Sequence, residues 1–497
     1  MPVQPVTVPD MTLRRSSLPL LAGLSICLVA GTIAAPSATA SSDTESSVVS
    51  GLRGHGDQLT FGGSAPSARA LVSSAEANAR ISAVLPTRTT YKAVGKNYAV
   101  DVVDVDSGTR LWSRRLTTPL LPASNMKIVT AVNALQAMGP DKTFTTRVVS
   151  LGKGKVAIIG GGDATLSRAG LTKLATSTAA AINARPDLLP DVSTPAPYRP
   201  ATCIRKGKRV KSTAKKPCPL VRPGPRRAVK VYVDDSLYPS PVRPAGWRGG
   251  YEPSVVRPVR PLGIDGDYSM DSSANAAAVF GSALKSGGLS GSFAGRASGA
   301  GAEQLGSYTG AKLSDQVKYM LQVSENNVAE MLYRNTAIAK GYSPTWANSA
   351  RAATESLVAL GIPMGGLSLT SGSGVGRNDR LTPLALTSIL QRVADSHTYP
   401  SLIPVYYGGG LPLAGRTGTL SAGARRFTTK PSKCAAGRLR AKTGTLSDTV
   451  SLSGLATGAD GRLKAFSVLV NSRPQKYSPL QTRQSVDRMA ATVTGCY

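Results

Sequence analysis

Histidine is almost missing from this chain of 497 residues, which has two: His55 in a glycine-rich tail and His397 beside a Tyr-Pro turn. A Ser-His-Asp triad and a histidine-rich metal centre are both poorly supported by so little material, and no cofactor is expected. Acid is also scarce, with 28 Asp and Glu against 59 Lys and Arg, for a formal net charge of +31. Such a field draws polyanions: nucleic acid, anionic lipid or acidic wall polymers. Long apolar runs are lacking too. Leu18–Ala30 is short for a membrane span, and no later segment is long and apolar enough to be one.

The first forty residues read as an export signal, with Arg14-Arg15 as basic start, Leu18–Ala30 as apolar core and Ala38-Thr39-Ala40 as cleavage site. Cleavage near Ala40 would leave an extracytoplasmic protein, secreted or wall-associated, which argues against nucleic acid as the partner for the charge. An uncleaved anchor is the alternative. Of five cysteines, Cys27 leaves with the signal, and Cys203, Cys218, Cys434 and Cys496 remain. An even count in an exported chain suggests disulfides. Three pairings exist; Cys203–Cys218 is favoured, with Cys434–Cys496 left over. The first closes a short loop, worth ~3 kcal/mol on the chain-entropy model.

The chain is organised around Leu121–Val132, a loop closed by Pro122 and then an apolar helix from Met126 to Met138, stopped by Gly139-Pro140. Ser124 stands at the helix start with Lys127 three positions on, so hydroxyl and amine share a face. A serine needs a base to become a nucleophile, and a lysine of lowered pKa can serve. Ser-x-x-Lys alone is weak evidence, since it recurs at Ser150…Lys153, Ser212…Lys215 and Ser282…Lys285.

Residues 41–75 read as a flexible linker, and Ala68–Leu85 has helical spacing. Tyr98–Val105 and Arg110–Trp112 form a hairpin, followed by strands at 147–151 and 155–159, a glycine turn at 160–162, a helix at 166–181 and a strand at 229–233. Residues 205–230 carry eleven Lys or Arg and no acid, bracketed by Cys203 and Cys218, and suggest a tied basic lobe for an anionic polymer. Ser273–Ser286 is helical, and the Gly/Ala-rich stretch 287–306 reads as a connection. Leu313–Val323 and Val328–Arg334 read as helices with a polar turn between them that presents Ser324 and Asn326. Arg440–Leu446, Thr449–Leu455 and Leu463–Val470 read as adjacent antiparallel strands, with Gly444 leaving room for a ligand backbone.

Ser-x-x-Lys, Ser-x-Asn and Lys-Thr-Gly, in that order, form a far more specific signal than any one of them. The chain resembles the active-site serine penicillin-recognising enzymes. Within them it is similar to the D-alanyl-D-alanine carboxypeptidase/endopeptidase family, the class C low-molecular-mass penicillin-binding proteins. The likeness covers roughly residues 90–490 and rests also on Gly161-Gly-Asp163, Val233-Asp-Asp-Ser-Leu237, Ser324-Glu-Asn-Asn-Val-Ala-Glu330 and Leu411-Pro-Leu-Ala-Gly415. The family often has Asp-Gly-Ser-Gly-Leu-Ser-Arg where this chain has Ser371-Gly-Ser-Gly-Val-Gly-Arg377.

The resemblance implies an α+β transpeptidase fold: an antiparallel sheet flanked by helices, with an inserted β-rich domain. A first catalytic part spans 76–148, the insert 149–299 and a second catalytic part 300–497. It implies that Ser124 attacks the D-Ala-D-Ala amide, with Lys127 as base, and that Lys127 and Lys442 titrate as a unit. Ser324 would relay a proton to the leaving amine and Asn326 would hold the substrate amide. Lys442 and Thr443 would receive the terminal carboxylate, beside Gly444, and the N–H groups of Ser124 and Thr445 would form the oxyanion hole. Peptidoglycan stem peptides and β-lactams are the implied partners. The rivals are a β-lactamase and a wall-binding protein without activity.

Overall fold

The computed structural model describes residues 72–497 apart from 206, 215 and 222–225. The expected signal at 1–40 and most of the expected linker lie outside the described residues. In chain order the elements are α1 (Ser74–Arg88), β1 (Tyr98–Asp104), β2 (Arg110–Arg114), α2 (Met126–Met138), β3 (Thr145–Ser150), β4 (Lys155–Ile159) and α3 (Arg168–Asn183). There follow β5 (Val192–Ser193), β6 (Thr202–Arg205), β7 (Lys208–Lys211), β8 (Arg226–Asp234), α4 (Ser272–Ala283), β9 (Leu289–Arg296) and β10 (Gln304–Thr309). The chain then runs through α5 (Leu313–Val323), α6 (Asn326–Ala339), α7 (Trp346–Ala359), α8 (Pro383–Ala394), β11 (Leu439–Thr445), β12 (Val450–Thr457), β13 (Leu463–Val470) and α9 (Pro479–Val493).

The first sheet has the order β11-β12-β13-β1-β2 and is antiparallel throughout. Its N-terminal hairpin pairs with strands from the far end of the chain, Tyr98 opposite Val470. Both faces are buried, and β13 shows why a two-residue period matters. Ala465 and Leu469 pack with α2 and α8, whereas Phe466, Val468 and Val470 pack with α1 and α9. Burying each of the larger ones, such as Phe466 or Leu469, is worth about 1.5–3 kcal/mol. The helix expected from residue 68 is described from Ser74, where Ser73 caps it by accepting the Glu76 N–H.

The second sheet has the order β10-β3-β4-β8-β5, with β9 beside β8, and α3 and α4 cover it. Strand β8 runs parallel to both β4 and β9. The stretch 287–306, expected as a connection, instead supplies β9 and β10. Of the eight residues Leu289–Arg296 only Leu289 and Phe293 are large and apolar, so no alternation announces a strand. Small residues serve packing there: a Cβ on Gly291 would lie 2.5 Å from the Gly281 Cα of α4. This sheet therefore draws its strands from residues 145–309, wider on both sides than 149–299.

The pair β6–β7 forms a separate two-stranded sheet within the basic lobe. Disulfides join Cys203 to Cys218 and Cys434 to Cys496, with Cα–Cα distances of 5.7 and 6.1 Å. Among the described residues no helix is long and apolar enough to cross a membrane, and no His/Cys/Asp/Glu cluster could hold a metal ion.

Candidate active site

Residues 121–125 are bolted to the first sheet. Asn471 accepts the Leu121 N–H at 2.9 Å and donates to its carbonyl at 3.1 Å. From β12, the Ser451 hydroxyl donates to the Pro122 carbonyl, and Ser453 accepts from the Asn125 amide, both at 2.7 Å. These bonds hold Ala123 at φ +46°, a left-handed conformation that costs an alanine about 1–2 kcal/mol. One residue on, in a 3-10 turn leading into α2, stands Ser124, half-buried.

Lys127 lies wholly buried beneath it. Its Nζ is 3.1 Å from Ser124 Oγ, 2.7 Å from Asn326 Oδ1 and 2.8 Å from the Ser373 carbonyl. Burial pulls its pKa down to about 8, against the opposing charges of Glu325, Glu330 and Asp379. Asn326 is fixed in orientation because its Nδ2 donates to the Val255 carbonyl at 2.8 Å. Ser324, left-handed at φ +63°, ends α5 and turns into the same cleft.

That cleft, of about 360 Å³, is lined by Ser124, Ser324, Asn326, Thr443 and Thr445 among others. Thr443 and Thr445 share one side of β11, and Lys442 and Gly444 alternate to the other. Lys442 is wholly buried, and its Nζ donates to the Thr443 carbonyl at 3.0 Å. Burial first, then the charges of Lys127 and Arg426, hold it well below the usual lysine range. The expected room for a ligand at Gly444 is filled by the chain itself. A Cβ there would lie 2.1 Å from Ser451 Oγ and 2.9 Å from the Pro122 carbonyl. This glycine lets the turn bearing Ser124 press against β11.

A family model for the D-Ala-D-Ala carboxypeptidase 3 (S13) family matches residues 82–270 and 267–493. The chain belongs to this family. It is 28% identical over 407 residues to carboxypeptidase DacB of Mycolicibacterium smegmatis, covering 80% of each chain. With the D-alanyl-D-alanine carboxypeptidase of Actinomadura sp. it shares 29% over 448 residues, covering 80% of this chain and 81% of that one. The crystal structure of penicillin binding protein 4 from Haemophilus influenzae superposes with a TM-score of 0.64 at 19% identity, covering 82% of this chain and 99% of that one. The S13 chain is thus a D-Ala-D-Ala carboxypeptidase, a hydrolase, on a penicillin-recognising fold.

Beneath the S13 motifs lies a layer that motif reading missed. The buried Glu330 carboxylate accepts from the N–H groups of Gly372 and Ser373 at 2.8 and 3.1 Å, and from the Ser373 hydroxyl at 2.5 Å. Burial pushes its pKa up to about 7. Asp379, also buried, accepts from the N–H and hydroxyl groups of Thr370 and Ser371. Together they shape the Ser371–Arg377 loop so that the Ser373 carbonyl meets Lys127. The signal was present in Glu330, the last residue of the Ser324–Glu330 motif.

The insert also grips the Ser-x-Asn turn. Besides the Val255 carbonyl on Asn326, the Arg257 N–H donates to Asn327 Oδ1 at 2.9 Å, and the Tyr268 hydroxyl to Glu325 Oε1 at 2.9 Å. Three consecutive residues of α5–α6 are thereby held by one loop of the second sheet's segment.

Proposed function

We propose that this S13 chain is exported and trims peptidoglycan stem peptides through an acyl-enzyme on Ser124, as carboxypeptidase and endopeptidase. The observation that carries the reading is the arrangement around Lys127 Nζ. A neutral amine has two N–H bonds and one lone pair. The Ser373 carbonyl and Asn326 Oδ1 can only accept, so they take the N–H bonds and leave the lone pair facing the Ser124 hydroxyl.

Lys127 takes the Ser124 proton as Oγ attacks the carbonyl of the D-Ala-D-Ala peptide bond. The N–H groups of Ser124 and Thr445 stabilise the oxyanion, where one donor is worth about 3 kcal/mol. Ser324 passes the proton on to the leaving amine, Asn326 orients the substrate amide, and water then releases the acyl group. A β-lactam acylates the same serine and leaves slowly. In support, the Haemophilus influenzae neighbour has also been solved complexed with a β-lactam, at a TM-score of 0.55.

Export is supported by Arg14-Arg15, the apolar Leu18–Ala30 and Ala38-Thr39-Ala40, and by the two disulfides. The exposed Lys208, Arg209, Lys211 and Lys216 of the basic lobe suit an anionic wall polymer as a further partner.

The test is covalent labelling by a fluorescent penicillin, alongside release of D-alanine from a pentapeptide ending in D-Ala-D-Ala. Native protein should show both, and Ser124→Ala neither. Label on the variant, or none on native protein, overturns the mechanism. Fast turnover of a chromogenic cephalosporin would make the chain a β-lactamase instead.

A further inference from the structure

The peptide bond under attack lies one residue from a free carboxylate, which needs a cation where it enters a partly buried cleft. Lys442, the cation expected to meet it, is wholly buried with its Nζ on the Thr443 carbonyl. Arg426 lines the cleft, but its Nε and Nη2 are both on the Asp487 carboxylate, at 2.8 and 2.5 Å. Arg483 also lines it and is different. It projects from α9 one turn before Asp487, and its Nε donates to Thr445 Oγ1 at 3.1 Å. Among the described residues it has no ion pair, and no carboxylate lines the cleft beside it. The nearby acids are engaged elsewhere, Asp487 with Arg426 and Asp448 with Arg377. Burial, then the charges of Arg426 and Arg473, lower the Arg483 pKa, and only Asp487 opposes them. An anion in the cleft would relieve that repulsion.

We propose that Arg483 receives the terminal carboxylate of the leaving D-alanine, with the Thr443 and Thr445 hydroxyls beside it, and so selects substrates with a free C-terminus. The inference rests on the Ser124 acyl-enzyme reading and adds to it the residue that reads the substrate's charge. A guanidinium suits the place because its fork can keep Thr445 on one N–H and give others to a carboxylate. Arg426 stays behind as a neutralised brace that fixes the loop at 424–427 against α9.

The experiment compares two substrates, a peptide ending in D-Ala-D-Ala and its C-terminal carboxamide, in native protein, Arg483→Gln and Arg483→Lys. Native protein should prefer the carboxylate. Arg483→Gln should lower kcat/KM for the carboxylate by about 10- to 100-fold and for the carboxamide by less than about 3-fold, the range of one charge-assisted hydrogen bond. Arg483→Lys should recover part of the loss, and an unchanged thermal melt shows that the variants fold. Equal losses on both substrates, or none on the carboxylate, overturn the role of Arg483. Saturating penicillin separates the two readings: a native protein that takes no label refutes the acyl-enzyme, whereas label without carboxylate discrimination refutes Arg483 alone.

Discussion

The Ser373 carbonyl stands 2.8 Å from Lys127 Nζ, so a backbone atom of a loop far along the chain helps hold Lys127 against Ser124. This fixes the pH dependence of acylation. Lys127 must be neutral to take a proton, and burial lowers its pKa to about 8. Acylation by penicillin should therefore rise tenfold per pH unit below about 8 and level off above it. Lys127→Met should lower the rate by about 10²- to 10⁴-fold and abolish the slope. Stopped-flow acylation from pH 5 to 10 reads both; a flat native profile removes Lys127 from the mechanism.

Glu330 should carry a second, structural pH dependence. Its pKa lies near 7 when folded, above its ordinary value of 4.5, so the folded state binds this proton more tightly than the unfolded one. The stability it adds is full below pH 4.5 and is lost as pH rises towards 7. Glu330→Gln should remove that slope from the urea midpoint. It should also lower stability by about 1–3 kcal/mol, because the amide keeps one accepting oxygen and turns its NH2 towards the donor of either Gly372 or Ser373. Acylation should fall with it, since the Ser373 carbonyl would shift from Lys127. A variant with native acylation would show that the loop holds its shape without the carboxylate.

Gly444 offers a test of geometry with little change in chemistry. An added Cβ meets Ser451 Oγ, the Pro122 carbonyl and Ala123 Cβ, all within 3.0 Å, and two of these belong to the turn that carries Ser124. Gly444→Ala should cost about 1–3 kcal/mol of stability by overpacking. It should slow acylation at least tenfold, because about 1 Å of displacement at the nucleophile is enough for that. A melt within 1 °C of native protein together with an unchanged acylation rate would mean that the turn does not press on β11.

Much of this is legible in the sequence. The Ser124 helix ends at Met126 and Met138 because a Pro turn and Gly139-Pro140 bound an apolar run, and such signals are local. Alternation over Tyr98–Val105 predicts the N-terminal hairpin, and the segments at 449–455 and 463–470 read as the adjacent antiparallel strands that β12 and β13 prove to be. Strand β9 does not read so, because glycine and serine have no pattern to show and its partner β8 lies some 60 residues earlier in the chain. The motifs brought Ser124, Lys127, Ser324 and Asn326 to one place, whereas Gly444 faces the protein rather than a ligand. Glu330, Asp379 and Arg483 went unread for one reason: a charged residue on a helix or loop looks solvated until its burial and neighbours are known.

The Cys434–Cys496 bridge should matter to the cleft, and the Cys203–Cys218 bridge should not. The first joins a 3-10 turn at Ser432–Ala435 to Cys496, three residues beyond the end of α9, and α9 carries both Arg483 and Asp487. It spans 62 residues, which the chain-entropy model values at roughly 4 kcal/mol. The second spans 15 residues and ties only the two-stranded β6–β7 sheet, which contributes nothing to the cleft lining. Removing the longer bridge as Cys434→Ala with Cys496→Ala should lower the melting temperature and raise KM for a carboxylate-terminated peptide, as the helix bearing Arg483 loosens. Removing the shorter one as Cys203→Ala with Cys218→Ala should leave KM and penicillin acylation as in native protein. Equal kinetics in the two double variants, each well below its melting temperature, would mean that α9 is held in register by its buried face alone, through Val486, Met489 and Ala490 against the first sheet.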